Sequence, residues 1–352
     1  MKSNDLSTVG IPVEIGRIDR DLGRLWESTD DTKTRASLIN LAICSADPAS
    51  LEPNTALIAE IAGQHACRAI LILVDPDSPD DKAGAWISAH CHLAGKGGRQ
   101  ICSEQITFLL EGQTVEALPN IVFSHLDSDL PLCFWWQGDL PASSNEGLWT
   151  WVDRLIFDSS DWKSPAEQFA GTREIAARAP LVLCDLNWTR LYRCRYALAS
   201  IFDHAGALAC LSSLCTVRIV CAPGSRTTAV LLLGWLATQL GWKLCDLLSE
   251  HYFIAKDGRQ VSFEIAEEEG ATISLVQLRC GDACFELRRA EGSDYFHGRI
   301  HAPGAADALP TLSAGRERLS DVLLAELSRG GRHPVYARAV DAILPLLGSS
   351  AG

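Results

Sequence analysis

The chain has 352 residues, 44 of them acidic and 31 basic, for a formal charge of −13, and 47% of the residues are hydrophobic. That charge argues against nucleic acid or an anionic membrane as partner, because both reward a basic face. The apolar fraction excludes a disordered chain, and the length suits about two domains.

Reading from the N-terminus, Ile15, Ile18, Leu22, Leu25 and Trp26 recur at helical spacing and predict an amphipathic first helix over residues 14–27. TRASLINLAIC (34–44) reads as a strand, NTALIAEIAGQH (54–65) as a helix and CRAILILVDPD (67–77) as a buried strand. GAWISAHCHL (84–93) and RQICSEQITFLL (99–110) read as two strands joined by the turn AGKGG. TVEALPNIVFSHL (114–126) is expected to be helical despite Pro119, and LPLCFWW to be an apolar strand between prolines. Residues 147–162 read as a helix and then a strand. The next helix has Ser164 as N-cap, Pro165 at the first helical position and Glu167 three residues after the cap. Residues 185–203 are expected to form one helix, and 213–242 a strand, a loop and a helix. From 251 to 301, period-2 runs separated by turn signals predict an antiparallel meander, with two helices closing the chain. The expected fold is α/β, in two α/β domains with mixed sheets, residues 1–165 and 166–352, the second including the meander.

The N-terminal residues lack the apolar run of a signal peptide. The most apolar stretch, AVLLLGWLA (229–237), is too short to span a bilayer, so a cytoplasmic location is expected. Thirteen cysteines are scattered without a CxxC, which supports neither a zinc ribbon nor a thioredoxin-type motif. Nucleotide-binding, metalloprotease and nucleophile-elbow signatures are also missing from the sequence, so no cofactor, metal or catalytic residue is assigned.

Three constellations stand out. In AHCHL, alternation puts His90 and His92 on one face and Cys91 on the other, which splits any metal-ligand set. Cys91 and Cys102 meet across the hairpin if the register permits, which makes them the redox candidates. APGSRTT (222–228) places Ser225 and Arg226 at a helix N-terminus, a setting that favours an anion; a plain cap by Ser225 serves equally well. DLNWTRL gathers Asp185, Asn187, Trp188 and Arg190, which suits either a capped helix or a polar patch for docking. Trp135 and Trp136 must point to opposite faces of their strand.

TRASLINLAIC, HACRAILILV, AHCHLAGKGGRQICSEQI, LPLCFWWQGDLP, LVLCDLNWTRL and SRTTAVLLLGWLATQLGW, in this order, resemble the glucose-6-phosphate dehydrogenase assembly protein (OpcA) family over about residues 30–245. The resemblance implies a non-enzymatic activator that binds glucose-6-phosphate dehydrogenase and favours its active oligomer. It also implies thiol-based control, with thioredoxin as a second candidate partner. Interface hot spots favour Trp and Arg, so Trp135, Trp136, Asn187, Trp188 and Arg190 become the candidates for partner contact. The competing reading is a sugar-phosphate enzyme, a 6-phosphogluconolactonase-like hydrolase using the 222–228 loop, with His204 or His251 as nominal base. A third reading is a stand-alone thiol sensor.

Overall fold

Mainly apolar segments, INLAICS, CRAILILVD and TVRIVC among them, become the central strands of two sheets. The computed structural model describes residues 9–27, 33–94, 99–141, 146–247, 250–302, 311–315 and 318–348. The chain divides into two compact units. One comprises residues 1–157, 171–184 and 323–331, and the other residues 158–170, 185–322 and 332–352. Among the described residues, no helix is long and apolar enough to cross a membrane.

The first unit is built on a nine-stranded sheet. Its strands are β1 (Ile11–Val13), β2 (Lys33–Arg35), β3 (Ile39–Ser45), β4 (Cys67–Asp75), β5 (Ala83–Ala94), β6 (Arg99–Glu111), β7 (Leu132–Trp136), β8 (Arg154–Phe157) and β9 (Val182–Asp185). They run in the order β1-β5-β6-β4-β3-β7-β8-β9, with β2 beside β6. Strands β6, β4, β3, β7 and β8 are parallel, and β5 is antiparallel to β6. β3 is buried at every position, as a central parallel strand covered on both faces must be. Helices α1 (Ile18–Glu27), α2 (Leu51–Ala62), α3 (Leu118–Ser124) and α4 (Glu146–Trp149) lie along this part of the chain, and α5 (Pro165–Arg178) follows β8.

Two expectations need correction here. The single strand over 34–44 is two, because the chain leaves β6 at Arg35 and re-enters the sheet between β4 and β7 at Ile39. The helix over 114–126 begins as a 3-10 turn over Gly112–Ala117 and becomes α-helical at Leu118, with Pro119 in its first turn, where a missing N–H costs nothing. Most of the expected AGKGG turn, residues 95–98, lies outside the described residues.

The second unit carries the strands β10 (Thr216–Cys221), β11 (Lys243–Leu247), β12 (Glu250–Ile254), β13 (Gln260–Glu267), β14 (Ile273–Cys280), β15 (Ala283–Arg288), β16 (Tyr295–His301) and β17 (Thr311–Ser313). The order is β11-β12-β13-β10-β14-β15-β16-β17. The antiparallel meander is present, but β10 is inserted between β13 and β14, parallel to one and antiparallel to the other. Its helices are α6 (Leu186–Arg190), α7 (Tyr192–Ile201), α8 (Ala205–Cys210), α9 (Arg226–Leu240) and α11 (Pro334–Gly348); α10 (Leu319–Ser328) straddles the division. The one helix expected over 185–203 breaks at Leu191 into α6 and α7. α9 is apolar almost all round because α11 packs beside it while the sheet lies beneath. Gly234 permits that closeness: a Cβ there would lie 2.6 Å from the Ala339 carbonyl oxygen. Gly241, at φ 68°, ends the helix in the left-handed conformation.

Candidate functional site

DLNWTRL is not a surface patch. Asp185 ends β9 and caps α6, its Oδ1 accepting from the Asn187 N–H at 3.0 Å and the Ser159 N–H at 3.2 Å. Its Oδ2 accepts from the Ser159 hydroxyl at 2.8 Å and the Tyr336 hydroxyl at 3.2 Å. The Asn187 amide donates to Ser159 Oγ at 3.0 Å and accepts from the Thr228 hydroxyl at 2.8 Å. One carboxylate thus joins the loop after β8, α6 and α11, and Asn187 extends the network to α9. Beside it, Arg190 clamps Asp158, donating from Nη1 at 2.8 Å with Nη2 at 2.5 Å from the second carboxylate oxygen. Arg195 lies with its guanidinium 3.8 Å from the centre of the Trp188 ring, while Tyr336 meets that ring edge-on at 5.4 Å.

Burial, and then the neighbouring Asp158 carboxylate, push Asp185 up to about 7, against the pull of the hydrogen bonds from Ser159 and Asn187. The folded chain therefore holds this proton more tightly than the unfolded chain does. Between the ordinary value of 3.8 and about 7 the folded state binds more protons, so stability falls as pH rises through that window. The urea midpoint is expected to decline from about pH 4 to about pH 7, and Asp185→Asn to flatten that slope. An unchanged slope in the variant would assign the pH dependence elsewhere.

Of the five residues expected to contact a partner, three belong to the interior. Trp135, Asn187 and Trp188 are 3%, 1% and 4% exposed, so their side chains are not available as surface anchors. Trp136 and Arg190 are half-buried. The two tryptophans do face opposite ways. Trp136 shares a face with Phe134 and joins it and Trp149 in an aromatic cluster with ring centres 6.2–6.4 Å apart, donating its indole N–H to the Asp139 carbonyl.

Cys91 and Cys102 stand directly opposite in the β5–β6 register and form a disulfide, with their Cα atoms 4.0 Å apart. His90 is engaged with Gln105 at 2.8 Å, so the His-Cys-His motif does not converge on a metal. The whole CSEQI segment is a polar knot under the first unit's surface. Ser103 accepts from the Cys67 N–H, Glu104 accepts from the Trp26 indole at 2.6 Å and pairs with Arg35 at 3.0 Å, and Gln105 donates to Thr107. Burial pushes the Cys67 and Cys133 thiols up to about 12, which makes them poor nucleophiles.

Two places remain where an α/β fold commonly takes a ligand. The first is the crevice at the carboxyl ends of β3 and β7, where the chain leaves β3 for neighbours on either side. There the segment SADPAS holds no glycine; Asp47 caps the turn by accepting from the Ala49 N–H at 2.9 Å, and the Asn54 and Gln137 amides hydrogen-bond each other reciprocally at 2.9 Å. A carboxylate at that turn and amides turned on each other do not suit a dinucleotide pyrophosphate. The second is the 222–228 loop. Ser225 precedes α9 without a side-chain cap, and Arg226 is exposed. The Gly224 N–H, however, donates to the Glu267 carboxylate at 3.1 Å, so an anion from the chain itself already sits on this loop. His204 is the N-cap acceptor of α8, taking the Gly206 N–H at 3.2 Å. Sequence reasoning missed Asp158, Ser159, Thr228 and Tyr336; the run DSSD after β8 was the one local signal.

Residues 58–174 match the family described as the glucose-6-phosphate dehydrogenase subunit N-terminal domain, and residues 182–340 the one described as its C-terminal domain. Curated proteins named "Putative OxPP cycle protein OpcA" are similar. That of Nostoc punctiforme is 27% identical over 310 residues, covering 80% of this chain and 65% of that protein. That of Synechocystis sp. is 23% identical over 320 residues, covering 82% and 65%. The chain thus spans 65% of the length of these relatives. Among solved structures, an NAD-binding oxidoreductase from Klebsiella pneumoniae aligns with a TM-score of 0.48 at 10% identity, over 89% of this chain and 95% of its own. With the two domain matches in sequence along most of residues 58–340, the chain belongs to the OpcA family of glucose-6-phosphate dehydrogenase assembly proteins.

Proposed function

We propose that this protein is a non-enzymatic assembly factor that binds glucose-6-phosphate dehydrogenase, favours its active oligomer and so supports the oxidative pentose phosphate pathway. The observation that carries this reading is the pair of consecutive domain matches, both described as dehydrogenase subunit domains. The geometry agrees with it. The polar cluster that a catalytic reading would draw on is buried and internally bonded, and the turn at the switch-point crevice carries the Asp47 carboxylate. An activator works by binding one state of the enzyme better than another, and a coupling of about 1–3 kcal/mol changes apparent substrate affinity roughly 5- to 150-fold.

The test is size-exclusion chromatography of the chain with the dehydrogenase of the same organism, followed by substrate titration. A shared peak and a lower KM or higher kcat are expected; separate elution with unchanged kinetics would end the reading. Running the titration before and after dithiothreitol addresses thioredoxin-type control through Cys91–Cys102, and identical curves would remove it. The hydrolase alternative predicts turnover of 6-phosphogluconolactone by the chain alone, where the assembly reading predicts none.

A further inference from the structure

The free cysteines of this chain fall into two sets. Cys44, Cys67, Cys133, Cys184, Cys194 and Cys221 are buried, where a thiol serves as a small apolar filler. Cys210, Cys215, Cys245, Cys280 and Cys284 are half-buried, and all of these belong to the second unit. Core packing does not account for this second set. All but Cys245 gather at one end of the unit's sheet. Cys280 is the last residue of β14, Cys284 follows the Gly281–Asp282 turn on β15, and Cys215 stands just before β10, its N–H donating to the Arg279 carbonyl at 2.8 Å. Cys210 ends α8, and its thiol is in hydrogen-bond contact with the Cys280 sulfur.

The other two thiols of the group are engaged elsewhere. Cys215 Sγ lies 3.5 Å from the Arg279 carbonyl oxygen, and Cys284 Sγ lies 3.9 Å from Glu286 Oε1. Alternation also sends Cys284, opposite Arg279, to the face away from Cys280. Cys210 and Cys280 are therefore the pair that the fold brings together, from distant points of the chain. Partial burial, and then the neighbouring Cys280 sulfur, hold the Cys210 proton more tightly than in a free thiol, which leaves Cys280 to attack first. The chemistry open to such a pair is thiol–disulfide exchange. The Cys280 thiolate attacks a low-molecular-weight disulfide, forms a mixed disulfide and releases one thiolate. Cys210 then loses its proton and attacks the Cys280 sulfur, which expels the second thiolate. The protein gives up two electrons and two protons, and the small disulfide is reduced to two thiols. An S–S bond is about 2.0 Å long, so closure draws the end of α8 onto the end of β14. The Leu211–Ser213 turn and Leu214 are then fastened to β14 at both ends, through Cys280 and through the Arg279 carbonyl.

We propose that Cys210 and Cys280 form a second redox site, separate from Cys91–Cys102, which a small disulfide closes and a dithiol reopens. The site needs no dehydrogenase, so it stands or falls apart from the assembly reading. The test reduces the full chain, incubates it with glutathione disulfide, caps the remaining thiols by alkylation and maps the peptides by mass spectrometry. A linked Cys210–Cys280 peptide is expected, lost on adding dithiothreitol and retained in Cys245→Ser. In Cys210→Ser, Cys280 is expected to carry glutathione without a link. The oxidised wild type is expected to melt about 5 °C or more above Cys280→Ser treated in the same way, because the bond closes a long loop of the unfolded chain. Equal midpoints would mean that the link forms in unfolded molecules and would overturn the proposal. So would Cys210 and Cys280 both recovered alkylated, both carrying glutathione unlinked, or Cys280 linked to Cys215 or Cys284 instead.

Discussion

Asp185→Ala is expected to lower the thermal midpoint of the second unit by roughly 10 °C, the shift that a loss of about 3–5 kcal/mol produces in a domain of this size. Four donors converge on this carboxylate: the Ser159 N–H and hydroxyl, the Asn187 N–H and the Tyr336 hydroxyl. Removing the acceptor strands them in a site from which water is excluded, and each orphaned buried donor costs about 1–3 kcal/mol. The four losses are not additive, because they share one network and the site relaxes. The capping of α6 goes with them, so the loop after β8 and the start of α6 lose their common tether. Asp185→Asn keeps an acceptor and the side-chain volume, and is expected to cost less than half as much. Differential scanning calorimetry on the two variants checks this; an Asp185→Ala midpoint within about 2 °C of wild type would show that the network is not holding the unit together.

Glu326→Ala is the second. Glu326 is fully buried, and its Oε1 accepts from Arg154 Nη2 at 2.9 Å, while the same nitrogen reaches the Glu326 carbonyl at 3.3 Å. The pair joins β8 to the α10 segment within the first unit. Deleting one member of a buried pair leaves the other charge with no compensation, a loss of about 3–5 kcal/mol. Replacing both with apolar side chains of similar volume removes the desolvation penalty together with the attraction. Arg154→Met/Glu326→Leu is therefore expected to recover most of the loss. Urea unfolding of the single and double variants measures it. A double variant as unstable as the single one would mean that the ion pair itself, rather than the stranded charge, accounts for the loss.

Much of the secondary structure was legible from local pattern. β3 and β4 announce themselves as mainly apolar runs broken by a single polar residue, Asn40 and Arg68, and β10 by alternation, α1 by its 3.6-residue spacing, and α5 by Pro165 at its first turn. The Cys91–Cys102 pair was legible up to a condition, since two strands joined by a short turn must be neighbours and only their register was open. Local breaks were harder. Nothing in LNWTRLYRCRY signals the end of α6 at Leu191, because propensity continues across it; the break comes directly after Arg190, which is paired with Asp158, 32 residues earlier.

The sites were legible least. The residue types in DLNWTRL are those of a docking patch and of a buried network alike; Tyr336, 151 residues away from Asp185, is among the partners that turn the motif inward. Likewise the 222–228 loop reads as an anion site until Glu267, 43 residues on, is seen to occupy its N–H. By itself the sequence determined the α/β class, the order of strands and helices along the chain, and the opposite orientation of Trp135 and Trp136, since these follow from periodicity and from the alternation of side chains along a strand. Only the tertiary structure decided which polar groups are consumed by the chain itself and which strands are neighbours, because both depend on pairings between distant segments, such as β10 between β13 and β14, that no local pattern encodes.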